Sequence, residues 1–192
     1  MQILIYIFNG FLLFAGFFAL VAVILVVIAI ISYDPYEEEC KKQAEYEATE
    51  FFKQTGVSWT SIGRDKGIRG EFEVFKILEP FCSGNFRLLC NLYIPGERGK
   101  LSEIDMLAVT SRGIIAIEVK NTSGHVRGDE FNPNWTIEFP LRNGESRTHE
   151  LYNPIMQNGK HIDRLKMILG HRVRMHSLIV FSDACDLKKV IL

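Results

Sequence analysis

Residues 103–121, Glu103-Ile104-Asp105-Met106-Leu107-Ala108-Val109-Thr110-Ser111-Arg112-Gly113-Ile114-Ile115-Ala116-Ile117-Glu118-Val119-Lys120-Asn121, decide the fold. Two apolar, β-rich runs flank a turn signal at Ser111-Arg112-Gly113, which predicts a hairpin. Glu118 and Lys120 stand two residues apart, so strand periodicity puts both on the face of Ile114 and Ala116. Asp105 shares a face with Leu107 and Val109 in the first run. An even loop, either Arg112-Gly113 or Ser111 to Ile114, would set Asp105 opposite Lys120 and diagonal to Glu118. An odd loop without a bulge would turn Asp105 to the other side and leave unrelated buried charges, each costing several kcal/mol unless paired. With the even loop an Asp, a Glu and a Lys converge on apolar strands, the geometry needed to hold a divalent cation beside an activated water.

The 192 residues suffice for one domain of ordinary size with appendages. Whole-chain charge, 22 basic against 23 acidic residues, argues for no particular partner. Regional charge says more. Residues 34–50 hold seven acids and two bases, whereas residues 142–176 hold seven bases, three acids and four histidines. A cationic region beside an acidic metal site suits a polyanion, although a solvated helix face with its flanking loops gives the same pattern. Cys40, Cys82, Cys90 and Cys185 show neither metal-ligand spacing nor a disulfide framework, which points to a reducing compartment.

Residues 3–31 are apolar almost without interruption, long enough at about 1.5 Å per residue to cross a hydrocarbon core of roughly 30 Å. The basic start and short apolar core of a cleaved signal are missing, so a retained single-pass membrane anchor is expected over residues 1–33. Lys41 and Lys42 favour a cytoplasmic side for the C-terminal domain. From Tyr36 to Gln54 the composition becomes charged and helix-favouring, with Ala44, Ala48, Phe51 and Phe52 as a narrow apolar stripe. This predicts a juxtamembrane helix, either spacer or self-association surface. Gly56 to Gly70 reads as a linker, giving a charged segment over 34–63 and a main domain over 64–192.

Glu71 to Glu79 reads as a helix ended by Pro80, with Glu71 heading the stripe of Val74, Phe75 and Leu78. That carboxylate could reach a metal site, or simply answer the helix dipole. Strands are predicted at Phe86 to Ile94, Trp135 to Phe139, Ser177 to Phe181 and Lys189 to Leu192. Asn121 to Gly128 reads as loop, and Leu141 to Tyr152 as a mobile basic loop over the site. Asn153-Pro154 starts a second helix that Gly170 ends, with Gln157 and His161 one turn apart. The order helix, three strands, helix, strand is an α/β layout with helices packed on one central mixed sheet.

Phosphodiester hydrolysis is one chemistry that such a constellation serves. Mg²⁺ (or Mn²⁺) needs hard oxygen ligands, and Asp105, Glu118 and the carbonyl of Val119 offer them. Lys120 would orient the water or offset developing charge; the bland alternative is a structural ion pair across the hairpin. No phosphate-binding Gly-rich loop and no serine elbow is present, and the histidines at 161, 171 and 176 lack a zinc pattern.

Gly67-Ile68-Arg69-Gly70-Glu71, Glu103-Ile104-Asp105, Gly113 to Asn121 with Gly124, Asn153-Pro154, and Gln157 with His161, taken in that order, resemble the nuclease-related domain known as NERD, a branch of the restriction-endonuclease-like PD-(D/E)xK superfamily. The resemblance covers roughly residues 64–182. It implies a restriction-endonuclease-like fold and a Mg²⁺-dependent site acting on DNA, with RNA a further candidate substrate. It also implies roles: Glu71 as helix-borne acid, Asp105 and Glu118 as metal ligands, Lys120 as catalytic lysine and Gln157 as the polar residue of the second helix. Lys160, His161 and Arg164, on that same helix, are candidates for substrate contact. Two features depart from the pattern: Ile104, not proline, precedes Asp105, and a membrane anchor stands where family members often carry a partner domain. A membrane-anchored nuclease is the leading expectation, with a homodimer as the default for cutting two strands. A non-catalytic membrane-tethered DNA-binding or scaffolding module, and a purely structural interaction protein using helix 36–54, are the alternatives.

Overall fold

The computed structural model describes residues 17–28, 30, 34–96, 99–141 and 144–191. Contacts divide the chain into two units, Met1–Glu45 and Tyr46–Leu192. In the first, residues 17–28 are helical with mostly exposed apolar side chains. Helix α1 (Pro35–Glu47) carries the surface ion pairs Lys42–Glu38, at 2.6 Å, and Lys41–Glu45. The expected membrane-spanning helix is not found: among the described residues no helix is long and apolar enough to cross a bilayer. The remainder of the 3–31 stretch lies outside the described residues.

The second unit starts earlier than the expected boundary at residue 64. Helix α1 breaks at Ala48-Thr49, where Thr49 caps α2 (Glu50–Thr55) and Gly56, at φ 65°, closes it in the left-handed region. Ser58 caps α3 (Trp59–Arg64) and Asp65 caps α4 (Lys66–Leu78), accepting from the amides of Gly67 and Ile68 at 2.7 and 3.2 Å. Hence the region expected to be a linker, 56–70, is largely helical. Its glycines hid that. Gly70 is there because a Cβ would lie 2.4 Å from Asn121 Cβ, so α4 can approach the end of the site strand only with no side chain at this position. A short 3-10 turn (Glu79–Phe81) follows.

The strands are β1 (Arg87–Pro95), β2 (Leu101–Thr110), β3 (Gly113–Lys120), β4 (Gly124–Asp129), β5 (Asn134–Pro140), β6 (Ser146–Tyr152), β7 (Met175–Phe181) and β8 (Cys185–Ile191), with α5 (Pro154–Leu169) between β6 and β7. They form two four-stranded mixed sheets, in the orders β1-β2-β3-β7 and β6-β5-β4-β8. The two outermost contacts, β3 with β7 and β4 with β8, are parallel, and the rest antiparallel. This corrects the single central sheet expected from sequence. Residues expected to be loops at 121–128 and 141–152 supply β4 and β6. An almost wholly exposed strand such as β6 has no apolar alternation to reveal it.

One layer of the first sheet packs on the N-terminal helices, through Tyr46, Phe51, Phe72, Phe75, Met106 and Ile117. The other packs on α5, through Ile104, Leu107, Ala116, Ile162 and Leu165. Tyr46 donates its hydroxyl to the Val57 carbonyl at 2.6 Å, while its ring meets Phe72 edge-on. Gln54 reaches the outer strand of the sheet: its Nε2 donates to the Leu88 carbonyl at 3.1 Å and its Oε1 accepts from the Cys90 amide at 2.9 Å.

The second sheet has a small core of its own around Val126, Trp135 and Ile137, with Trp135 stacked on Phe181. Asn153 ties this sheet to α5. Its Oδ1 accepts from Ile155 and Met156, capping the helix, and its Nδ2 donates to the carbonyls of Asp129, Glu130 and Asn132. An Asn153→Ala variant loses the cap and the donor that the Glu130 and Asn132 carbonyls share, while the Asp129 carbonyl keeps its bond from the Trp135 indole. We expect a loss of about 2 kcal/mol, measured by urea denaturation, with Asn153→Asp losing less because it keeps the cap oxygens and gives up only the donor.

Candidate active site

The site forms where β2 and β3 separate. Their pairing runs from Thr110↔Gly113 to Met106↔Ile117 and ends there, so the hairpin loop is Ser111-Arg112. The loop has the expected even length but sits one residue earlier. Carried one pair further, this register places Asp105 across from Glu118 and diagonal to Lys120, which corrects the expected order. Past the last pair, the Val119 amide is donated to Asp105 Oδ2 at 2.7 Å.

The expected charges therefore meet. Glu71, Asp105, Glu118, Val119, Lys120 and Gln157 line one open cavity of about 340 Å³. Lys120 Nζ donates to Glu118 Oε1 at 2.5 Å and to Gln157 Oε1 at 3.2 Å, so strand and helix together fix the ammonium. Helix α4 brings Glu71 to the same place.

His161 occupies a different position from that expected of a substrate contact. It is 3% exposed, beneath Glu118, with Nε2 3.8 Å from Glu118 Oε2. Burial, then the charges of Arg164 and Lys120, push its pKa down, which favours the uncharged imidazole. Lys160 is exposed, with Nζ 5.1 Å from the centre of the Tyr152 ring, and Arg164 is half-buried.

The carboxylates crowd one another. Burial first, then Asp105 and Glu103, raises Glu71 to about 7. Burial and the charge of Asp105 likewise lift Glu118 to about 7, with Lys120 pulling the other way. Asp105 is also raised by burial, against the opposing pull of the Val119 amide and Lys120. Glu71 Oε2 and Glu118 Oε2 are buried with no hydrogen-bond partner. Buried acceptors of this kind call for a cation or a proton.

Among the described residues no three His, Cys, Asp or Glu side chains already form a metal cage. Mg²⁺ needs no such cage, since it retains several waters and takes one or two carboxylates. Asp105, Glu118 and the Val119 carbonyl are a donor set of that kind, and the two orphaned glutamate oxygens fit it.

Two participants escaped the sequence reading. Asn91 interrupts β1 at φ 49°, opposes the upward shift of the Glu71 carboxyl and donates through Nδ2 to Glu103 Oε1 at 3.1 Å. Tyr93 donates its hydroxyl to the same Glu103 oxygen at 2.9 Å. Only asparagine's tolerance of the left-handed region hinted at the first, and nothing in the sequence marked the second.

The family described as the nuclease-related domain, NERD, matches residues 66–182, more than half of the chain. An uncharacterized protein of Bacillus anthracis is 29% identical over 125 residues, a span covering 65% of this chain and 57% of that relative. The chain thus spans less than two thirds of the relative's length. No solved structure matches.

Proposed function

The chain belongs to the nuclease-related domain family, and on that premise we propose that it is a metal-dependent nuclease hydrolysing phosphodiester bonds in DNA. The observation that carries this reading is the meeting of Asp105, Glu118 and Lys120 in one open cavity, beside two buried carboxylate oxygens that lack partners. Asp105, Glu118 and the Val119 carbonyl would hold Mg²⁺ or Mn²⁺. When bound, the ion supplies charge neutralisation on the phosphate and an acidified water.

The chain's own groups do the rest. The Val119 amide fixes Asp105 by one oxygen and leaves Oδ1 to face the site. Gln157 gives Lys120 a second anchor, on α5, beside its close bond to Glu118, so its ammonium is held where it can meet charge developing on the phosphate. Glu71, held near neutral pKa on α4, is suited to accept a proton at Oε2. The apolar run at residues 3–31 supports a tether that would hold this activity at a membrane, with the catalytic unit on the cytoplasmic side.

The full chain in detergent should cut plasmid DNA with Mg²⁺ or Mn²⁺ and stop on addition of chelator. Asp105→Asn should slow cutting at least about 100-fold, while an RNA substrate run alongside tests the sugar preference. Equal cutting by both proteins would overturn the assignment. The close Lys120–Glu118 pair favours a second reading, a DNA-binding module whose charges are already neutralised. Binding that survives chelator without any cleavage would select it.

A further inference from the structure

The turn between β4 and β5 presents an aromatic side chain to solvent at a place where the backbone is unusually well held. Phe131 is 80% exposed. The amides of Phe131 and Asn132 both donate to Asp129 Oδ1 at 2.8 Å, and the carbonyls of Asp129, Glu130 and Asn132 all accept from Asn153 Nδ2. The Trp135 indole adds a bond to the Asp129 carbonyl at 2.8 Å. A large apolar side chain held out in water by so many bonds forgoes the gain that burial would bring.

Its surroundings indicate what it meets. Asn153 opens α5, and Gln157, which holds Lys120, lies four residues along, about 6 Å by helical rise. The same clamp that fixes the turn therefore fixes its place relative to the site. Tyr152, paired with Asn134 at the start of β5, is 40% exposed and carries Lys160 over its ring. Leu151, the neighbour of Tyr152, lines the catalytic cavity. Two exposed aromatics and a cation thus flank the first turns of α5, the helix whose Gln157 holds Lys120. Aromatic faces with interleaved positive charge bind single-stranded nucleic acid, because every base offers a π-face and every phosphate a negative charge.

We propose that Phe131 is a stacking residue for an unpaired base of the substrate, so that the enzyme grips single-stranded or locally opened nucleic acid beside the start of α5 while the phosphate lies at Lys120. This rests on the nuclease reading above. The turn is rigid before substrate arrives, so stacking requires little further ordering of the protein.

The test uses the full chain in detergent with a fluorescent oligothymidylate, in Ca²⁺ to suppress cutting. Phe131→Ala should weaken binding about tenfold and leave the thermal midpoint unchanged, since the side chain is already in water. Phe131→Trp should bind as tightly as wild type and show oligonucleotide quenching of the added tryptophan, with the wild-type signal subtracted. Fully paired duplex of the same length should respond less to either substitution. Unchanged oligonucleotide affinity in Phe131→Ala, or an unquenched Phe131→Trp, would overturn the stacking role alone. A shift in sedimentation with unchanged affinity would overturn it too, assigning the ring to self-association. No binding of any oligonucleotide by wild type would sink the nuclease reading with it.

Discussion

Glu118→Gln should cut DNA about 1,000-fold more slowly than the wild type and yet be the more stable protein at pH 8 in chelator. Glu118 is 1% exposed and its pKa is about 7, well above that of an unfolded glutamate. A carboxyl raised in this way takes up a proton on folding at any pH between the two values. Folding is therefore favoured on the acid side, and the advantage is lost as pH rises through about 7. Glu71 behaves the same way. Metal-free wild type should consequently lose stability between about pH 5 and pH 8, when both glutamates must ionise among neighbours of like charge. The amide cannot ionise, so Glu118→Gln escapes its share of that loss, about 2 kcal/mol at pH 8. Mg²⁺ should stabilise the wild type more at pH 8 than at pH 6, and the variant hardly at all. Thermal midpoints at the two pH values, with and without Mg²⁺, read all three statements. A variant melting below wild type at pH 8 in chelator would show that Lys120 already satisfies Glu118. Undiminished cutting would remove it from the catalytic group.

A chain starting at residue 56 should fail to fold, whereas one starting at residue 34 should unfold cooperatively. The shorter chain lacks Tyr46 and Phe51, at 2% and 0% exposure, together with Phe52. Truncating one buried aromatic costs about 3–5 kcal/mol, and losing two approaches the whole stability of an ordinary domain. Near-ultraviolet circular dichroism across a urea gradient distinguishes the two. A cooperative transition in the shorter chain, at the midpoint of the longer one, would place those aromatics outside the core.

The charged constellation could be read from sequence because its charges stand out in two apolar, β-rich runs joined by a turn signal. Helix α5 was equally open, through Asn153-Pro154 at its start and Gly170 at its end. The register was not. Ser111-Arg112-Gly113 can be divided into a two-residue loop in two ways, and what decides is a distant contact: a Cβ on Gly113 would lie 2.5 Å from the Arg174 carbonyl. Gly113 is thus a strand residue beside β7, not part of the turn. Gly70 misled for a similar reason, since glycine demanded by close packing looks the same in sequence as glycine demanded by a linker. Tyr46 and Phe51 sit on either side of the helix break at Ala48-Thr49, so no single helical stripe connects them. Asn91 owes its role to its backbone angle and to Glu71 and Glu103, all set by tertiary structure. The 3–31 segment was read from hydropathy alone and falls mostly outside the described residues.

Gln54 gives the first sheet a guarded side. By occupying the Leu88 carbonyl and the Cys90 amide, it fills two positions that an invading extended chain would need in order to add alongside β1. Strand-by-strand growth of this sheet into an aggregate is thereby obstructed on the β1 flank.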